Sequence, residues 1–467
     1  MHPVLVRRMI SPMLERCLGR RTFGKWRHLR DAQWWSAGQI ADLQNAKLAR
    51  LFSIARNHCP FYRERFSALG LRSDGDDQLA ELRKLPPIDK TTIRKNLARM
   101  TNHTVRGGLY TLNTGGSTGE PLTFYVDRRR MACDKAARML THAWYDVLPG
   151  DREVYLWGAP AELNAQDRLK QLRDRVTNEL LLEAFNMSPA RIASYIGQIN
   201  RFEPRSIFGY PSSLSLLAAW CQRNHLPFLG QKLAAVFTTG EVLDDQDRER
   251  IQRFFGAPVA NGYGSRDGGF IAHQCPHGRM HIMAHHLIVE VVDDKGRLVP
   301  PGNTGEIVVT HLDAHATLFI RYRTGDLGVI SHNGCPCGRR LAILERVCGR
   351  RTDQLVAADG SLQHALSAIY VLRELQTIKR FQIRQHADRS VDVRVVPSDD
   401  FTATDRYRIR DGIARQLGRS LTVRVKLVDH IKTAASGKFR QVVSDAAGFL
   451  SVGGDWPAGL RAREHTS

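Results

Sequence analysis

Several things are scarce in these 467 residues, and each scarcity excludes something. No apolar run approaches the roughly 20 residues that a membrane-spanning helix requires. The first residues, MHPVLVRRMISPMLERCLGRR, are broken by charge too early for the core of a signal peptide. The chain therefore reads as cytoplasmic. Cysteine is sparse, at eight residues, which excludes a disulfide scaffold. Cys17, Cys59, Cys133, Cys221 and Cys348 stand singly and read as reduced packing residues. Internal repeats are absent. Acidic residues are also in deficit, 47 against 68 Lys and Arg, a formal net charge of +21. Such a balance favours anionic partners. Yet no zinc-finger, RNP-type or basic-zipper pattern accompanies it, which argues against nucleic acid. The first thirty residues are the most basic, with Glu15 as their lone acid. They suit either a solvated basic helix or a peripheral contact with an anionic membrane.

What is present points to a globular protein of more than one domain. Apolar spacing across residues 40–100 is helical, as in LARLFSIARNHCPFYRERFSAL. From about 150 to 265 strand-like and helix-like segments alternate: REVYLWG, RSIFGYPSSLSLLAAWCQRN, LAAVFTTG, LDDQDRERIQRFFG and APVANGYG. That alternation predicts a largely parallel sheet with covered faces, and places a helix N-cap at Ser212 or Ser213. LIVEVVDDKGRLVPPGNTGEIVVTHL predicts three successive strands joined by two turns. After residue 350, FQIRQHADRSVDVRVV and LTVRVKLVDHI alternate like strands. Between them Ile409, Ile413 and Leu417 recur at i, i+4 and i+8, as on one helix face. The expected division is residues 1–349, 350–450 and a frayed tail, 451–467.

Chemistry is suggested by loops. TLNTGGSTGEP, residues 111–121, crowds glycines with hydroxyl side chains. It lacks a Walker A lysine, so it suits either a plain hairpin or an anion cradle of backbone N–H and hydroxyl donors. FTTGEVL, NGYGSRDGG, RYRTGDLG and TAASGKFRQV add Gly-flanked acids, an aromatic ring and Lys438. HQCPHGRMHI and GCPCGRR place Cys275, His277, His281, Cys335 and Cys337 at spacings compatible with a closed structural zinc site. His281 fits that spacing better than His277. Reduced cysteines on a hairpin are the alternative.

In their order, these loops resemble the acyl-adenylate-forming superfamily of acyl-CoA synthetases and adenylation domains. The likeness is to the phenylacetate–CoA ligase branch and, within it, to relatives associated with capsular polysaccharide biosynthesis. CPFYRERF, LPPIDKTTIRKNL, NTGGSTGEP, FGYPSSLSLLA, TTGEV, NGYGSRDGG, TGEIVVTHL, YRTGDLG, GRRTD and SGKFRQV carry it, over roughly residues 45–445. The resemblance implies an α/β fold: a large adenylating domain with mixed sheets and flanking helices, plus a small mobile α+β C-terminal domain. It implies ATP, Mg2+ and CoA as cofactors, and a small carboxylic acid as substrate.

The resemblance also implies roles. Thr114, Gly115, Gly116, Ser117, Thr118 and Gly119 would hold phosphates. Tyr263 and Gly264 would face the adenine, and Gly240 and Glu241 would line the nucleotide and carboxylate pocket. Asp326 would accept from the ribose hydroxyls, with Arg350 in support. Asp267 would serve Mg2+, directly or through water, and Lys438 would bridge carboxylate and α-phosphate. Thr352 and Asp353 would be the hinge. Zn2+ at Cys275, His281, Cys335 and Cys337 is known in some relatives of this branch. Two departures stand out. Asp267 replaces a customary Glu. VAADGSLQHALSAIY replaces a Gly-Asn-Phe-Pro-type stretch, which favours the polysaccharide-associated relatives. The resemblance implies an acyl-AMP whose acyl group passes to CoA, with an amine or hydroxyl of a glycan precursor as the alternative acceptor. A catalytically silent assembly factor is a further alternative, and a homodimer is a candidate assembly.

Overall fold

The computed structural model describes the chain except residues 73–76, 115–121, 158–175, 185–186, 231–232, 351–353, 361, 374, 376, 432–440 and 447–467. The described residues divide into two units. One holds 1–114, 122–324 and 328–347; the other holds 325–327 and 348–446. Among the described residues no helix is long and apolar enough to cross a membrane.

The first unit opens with helices. The longest, Ala37–His58, starts at a capping box in which the Ser36 hydroxyl accepts from the Gln39 N–H and the Gln39 side chain accepts from the Ser36 N–H. Its buried face, Leu48, Leu51, Phe52 and Ala55, packs with Phe61, Tyr62 and Phe66 of helix Pro60–Ala68. A hairpin of β1 (Tyr110–Asn113) and β2 (Thr123–Val126) follows.

The large sheet comprises β3 (Glu153–Trp157), β4 (Glu179–Glu183), β5 (Ser206–Gly209), β6 (Ala235–Thr239), β7 (Val259–Ser265), β8 (Gly269–Gln274), β9 (Met280–Ile282), β10 (Leu287–Val292), β11 (Thr304–His311), β12 (Tyr322–Ile330) and β13 (Ile343–Arg350). Its order is β10-β11-β12-β13-β9-β8-β7-β6-β5-β3-β4. The run β4-β3-β5-β6-β7 is parallel, and β7, β8 and β9 are antiparallel. Parallel strands need crossovers, and helices Pro189–Phe202, Pro211–Arg223 and Asp245–Phe255 provide them. The β strands alternate as a two-sided sheet requires. Val236 joins Ile207, Val259, Leu214 and Ile251, whereas Ala235 and Phe237 join Phe208 and Ala260.

Two local expectations are corrected. Helix Pro211–Arg223 has Tyr210, not Ser212 or Ser213, at its N-cap, because Pro211 fixes the first helical residue. The orphan N–H of Ser212 is answered from another loop, by the Glu241 carboxylate at 3.2 Å. The middle strand expected between β10 and β11 is reduced to a single bridge, Val292 to Leu298. β10 and β11 instead pair directly, Leu287 opposite His311 through Val292 opposite Glu306.

The second unit carries β14 (Gln354–Val356) paired with β15 (Leu362–His364), then β16 (Ile378–Gln385), β17 (Val391–Pro397), β18 (Val423–Leu427) and β19 (Val442–Ser444) in the order β18-β17-β16-β19. Helix Ala403–Leu417 presents Ile409, Ile413 and Leu417 to Ile383, Val391, Val393 and Val395. The fold class is α/β, with a separate α+β C-terminal domain.

Candidate active site

Within the first unit, strand ends gather the residues expected to handle a nucleotide. β6 and β7 run in register with Thr239 opposite Gly262, so the Gly240–Glu241 turn lies beside Tyr263. Gly240 has φ +82, and a Cβ there would meet the Tyr210 ring at 3.1 Å. Tyr210 stacks on Trp157 with centroids 4.1 Å apart. The C-terminal ends of β3, β5 and β6 therefore share one aromatic rim, at the crevice where open α/β sheets bind ligands.

β7 breaks its ladder between Tyr263 and Gly264, a bulge that re-aims the following side chains. Only glycine fits at 264, because a Cβ would come within 2.6 Å of the Gly269 carbonyl. The Tyr263 hydroxyl lies 3.4 Å from the Thr324 hydroxyl of β12. Arg266 donates to the Asn113 carbonyl at 3.0 Å, tying β7 to the base of the Gly-rich loop. Thr114 closes that base. Its N–H donates to the Leu122 carbonyl and its hydroxyl accepts from the Leu122 N–H, both at 2.9 Å.

Asp267 is buried. The Tyr322 hydroxyl donates to its Oδ2 at 2.5 Å, Lys90 lies 3.4 Å from the same oxygen, and the Gly268 N–H reaches Oδ1 at 3.2 Å. Burial alone would raise its pKa. Lys90 and these hydrogen bonds outweigh that and hold the carboxyl below its ordinary value. Buried Arg130 donates to the carbonyls of Arg266 and Asp267, each at 2.7 Å, and lies between the rings of Phe124 and Phe319.

Thr114, Gly240, Glu241, Tyr263, Gly264 and Asp267 thus belong to the first unit. Asp326 is half-buried on β12 directly after Gly325, whose φ is +80, and Arg350 ends β13. Gly115, Gly116, Ser117, Thr118, Gly119, Thr352, Asp353 and Lys438 lie outside the described residues.

The model of the AMP-binding enzyme family matches residues 109–312, which span the loop base, the aromatic rim and β7. The chain belongs to the acyl-adenylate-forming superfamily. It lies in the phenylacetate–CoA ligase branch, near CapK, and the CapK C-terminal domain matches residues 355–445. Protein CapK of Staphylococcus aureus is 22% identical over 411 residues, 87% of this chain and 89% of that protein. Phenylacetate-coenzyme A ligase of Thermus thermophilus is 24% identical over 446 residues, 87% of this chain and 96% of the ligase. In fold, the chain resembles 2-hydroxyisobutyryl-CoA ligase solved in the postadenylation state, with a TM-score of 0.72 at 20% identity, covering 90% of this chain and 92% of that one. The family to which the chain belongs is one of ATP-using, adenylate-forming ligases.

A second cluster lies where β9 meets β13. The ligand atoms of Cys275, His281, Cys335 and Cys337 all fall within 4.8 Å of one another. Cys275 and Cys335 have their Sγ atoms 3.6 Å apart, and Cys337 Sγ is 3.3 Å from His281 Nε2. The sulfur separation is far beyond a disulfide bond. It is close to the about 3.8 Å that two 2.3 Å zinc–sulfur bonds subtend at a tetrahedral angle. Burial pushes His281 down to about 4 and Cys335 up to about 12. For Cys337 burial acts upward, but hydrogen bonds from Arg339 and the neighbouring backbone bring the thiol below its ordinary value. The donor set fits Zn2+. Asp134, His286 and His311 also cluster, but there the His311 Nδ1 accepts the Asp313 N–H at 3.3 Å. That leaves the proton on Nε2, which donates to Asp134 at 3.3 Å, the arrangement of a hydrogen-bond chain rather than of a metal ligand.

Sequence reasoning missed Lys90, Arg130, Tyr322 and Arg321. Lys90 carried a faint signal, as the first helical residue after the Asp89 N-cap in LPPIDKTT. Arg321 carried none. It is buried with φ +50, pairs with both oxygens of Glu290 and donates to the carbonyls of Arg83, Leu85 and Gly296. The arginine next to the YRTGDLG motif is a structural bolt.

Proposed function

We propose that this protein activates a carboxylic acid with ATP, forming an acyl-AMP and pyrophosphate, and then transfers the acyl group to CoA as a thioester. The observation that carries the reading is the presentation of Tyr263–Asp267 beside both the Gly240–Glu241 turn and the base of the Gly-rich loop. Tyr263 covers the adenine, and Gly240 brings backbone close to the nucleotide where a side chain would collide with Tyr210. Gly115, Gly116, Ser117, Thr118 and Gly119 cradle the phosphates with Thr114 pinning the loop, Gly264 keeps β7 close to its neighbour, and Glu241 holds the start of helix Pro211–Arg223. Asp326 accepts from the ribose hydroxyls, supported by Arg350. Lys438 stabilises the charge that crowds the α-phosphate as the carboxylate attacks, an effect of several kcal/mol in comparable sites. Residues 350–450 act as a lid that turns at Thr352 and Asp353.

Mg2+ would supply charge neutralisation on the phosphates. Both Asp267 oxygens already accept from protein groups and an ammonium lies alongside, so Asp267 suits such an ion only through water. Zn2+ at Cys275, His281, Cys335 and Cys337 is structural in this reading, because four protein donors leave no open position.

CoA as acceptor is supported by the relatives named phenylacetate-coenzyme A ligase. A second reading, transfer to an amine or hydroxyl acceptor, is favoured by the match of 355–445 to the CapK C-terminal domain and by the altered stretch VAADGSLQHALSAIY. The test is pyrophosphate release from ATP and Mg2+ over a panel of aryl, fatty and amino acids, with and without CoA. The expected result is release that requires one class of acid and is lost in Lys438→Ala. Acid-dependent release that CoA does not accelerate selects the second reading. Full activity in Lys438→Ala overturns the mechanism.

A further inference from the structure

The N-terminal helical run is held down on one side and bare on the other. Pro3–Leu5, a π-turn at Val6–Ile10 and Ser11–Cys17 follow without interruption. Pro12 has no N–H to return to the preceding turn, and the π-turn lies immediately before it. The inner side is fixed at several points. Val6 is fully buried. Arg7 donates to the Pro149 carbonyl and pairs with Asp151 at 3.3 Å. The Asn178 amide donates to the Met1 carbonyl at 3.0 Å. Glu15 turns inward, accepts from the Thr22 hydroxyl and pairs with Lys135 at 2.8 Å. The single acid of the first thirty residues is thereby buried and neutralised.

The outer side consists of two adjacent rows at i, i+4 and i+8. One is Leu5, Met9 and Met13, exposed at 44%, 64% and 68%. The other places Arg8 and Arg16 about Pro12, with both arginines exposed. Large apolar side chains so exposed on a well-anchored helix mark an interaction surface. Its chemistry discriminates among occupants. A protein interface is built round aromatic anchors in a charge-poor centre, and this face has no aromatic ring and an arginine row. A two-fold pairing of this face with a second copy would set arginines against arginines. A narrow apolar row beside guanidinium groups is the pattern of a helix lying in a lipid interface, with methionine and leucine entering the acyl boundary and arginine at the phosphates.

We propose that this face docks the enzyme on a bilayer bearing anionic lipids. The test is co-sedimentation of the full chain with phosphatidylcholine vesicles, with and without phosphatidylglycerol. Binding is expected only to the phosphatidylglycerol vesicles, falling as salt rises. The Met9→Asp/Met13→Asp variant should bind about tenfold more weakly, with an unchanged thermal transition. Arg8→Gln/Arg16→Gln, which leaves the apolar row intact, should weaken binding similarly and lose the salt dependence. No binding to the anionic vesicles, equal binding to both vesicle types, or wild-type binding by both variants overturns the proposal. So does a fall in sedimenting mass of the free Met9→Asp/Met13→Asp protein, which assigns the face to a second copy.

Discussion

The two units are built around different interiors. The first buries imidazole rings: His273, His281, His285, His286 and His311 are almost or fully inaccessible. His285 and His286 have no hydrogen-bond partner on either ring nitrogen among the described residues. The second unit buries a largely aliphatic centre with few polar groups inside it. There Gln385 accepts the Val356 N–H and donates to the Val356 carbonyl, both at 2.8 Å. Asp392 pairs with Lys426 at 2.7 Å and His386 at 3.1 Å. A large sheet built of distant segments needs polar connectors, whereas a four-stranded sheet under two helices closes with apolar packing. The first unit should therefore be the more sensitive to loss of a single polar group and to acid.

The largest effect is expected from Arg321→Leu. It strands the buried Glu290 carboxylate and three carbonyls, and should destabilise the first unit by about 3–5 kcal/mol. Chemical denaturation followed by hydrogen exchange should show the loss there and leave the second unit's amides unchanged. An acid titration sharpens the contrast next. Burial lowers His273, His285 and His286 to about 3 and His315 to about 4, from an ordinary value of 6.5. The unfolded chain then binds more protons than the folded one between those values, so stability rises with pH across that window. This contribution is complete above about pH 6.5 and is lost progressively as pH falls toward 4 and then 3. The second unit's response should come later, as pH passes below the ordinary carboxylate range. Burial alone would raise Asp392, but Lys426 and His386 outweigh it and hold that group low. Coincident loss in both units would refute the contrast.

Within the second unit, Gln385→Leu leaves the Val356 amide and carbonyl unanswered and should cost about 1–3 kcal/mol. Calorimetry should show the second transition moving while the first stays. The smallest effect is Tyr322→Phe, which removes one donor from Asp267 and should cost about 1 kcal/mol. It tests whether Lys90 and the remaining hydrogen bonds keep that carboxylate charged, read from an unchanged pH profile of pyrophosphate release.

How much of this was legible beforehand follows from what local sequence encodes. Periodicity revealed Ile409, Ile413 and Leu417 on one face and the alternating strands β16 and β17, because a helix and a pleat write their own spacing. Cysteine and histidine spacing picked out the residues that converge at β9 and β13. Pairing across distance left no such trace. Nothing in LAILERV says that β13 passes between β12 and β9, and nothing in RYRTGDLG says that its first arginine faces Glu290. Nor could Asp267 be seen as a carboxylate already committed to Lys90 and Tyr322, since those partners lie 177 and 55 positions away.

The insertion of β13 beside β9 has a consequence for how the sheet opens. The paired register there is only Ile343 with His281 and Leu344 with Met280, yet it joins the β10-β11-β12 flank to the rest. So short a seam is where sub-global opening should begin. The Cys275, His281, Cys335 and Cys337 quartet sits at that seam like a rivet through a lap joint. Amide protection at Met280–Ile282 should therefore report the state of the quartet more directly than any property of the active site does.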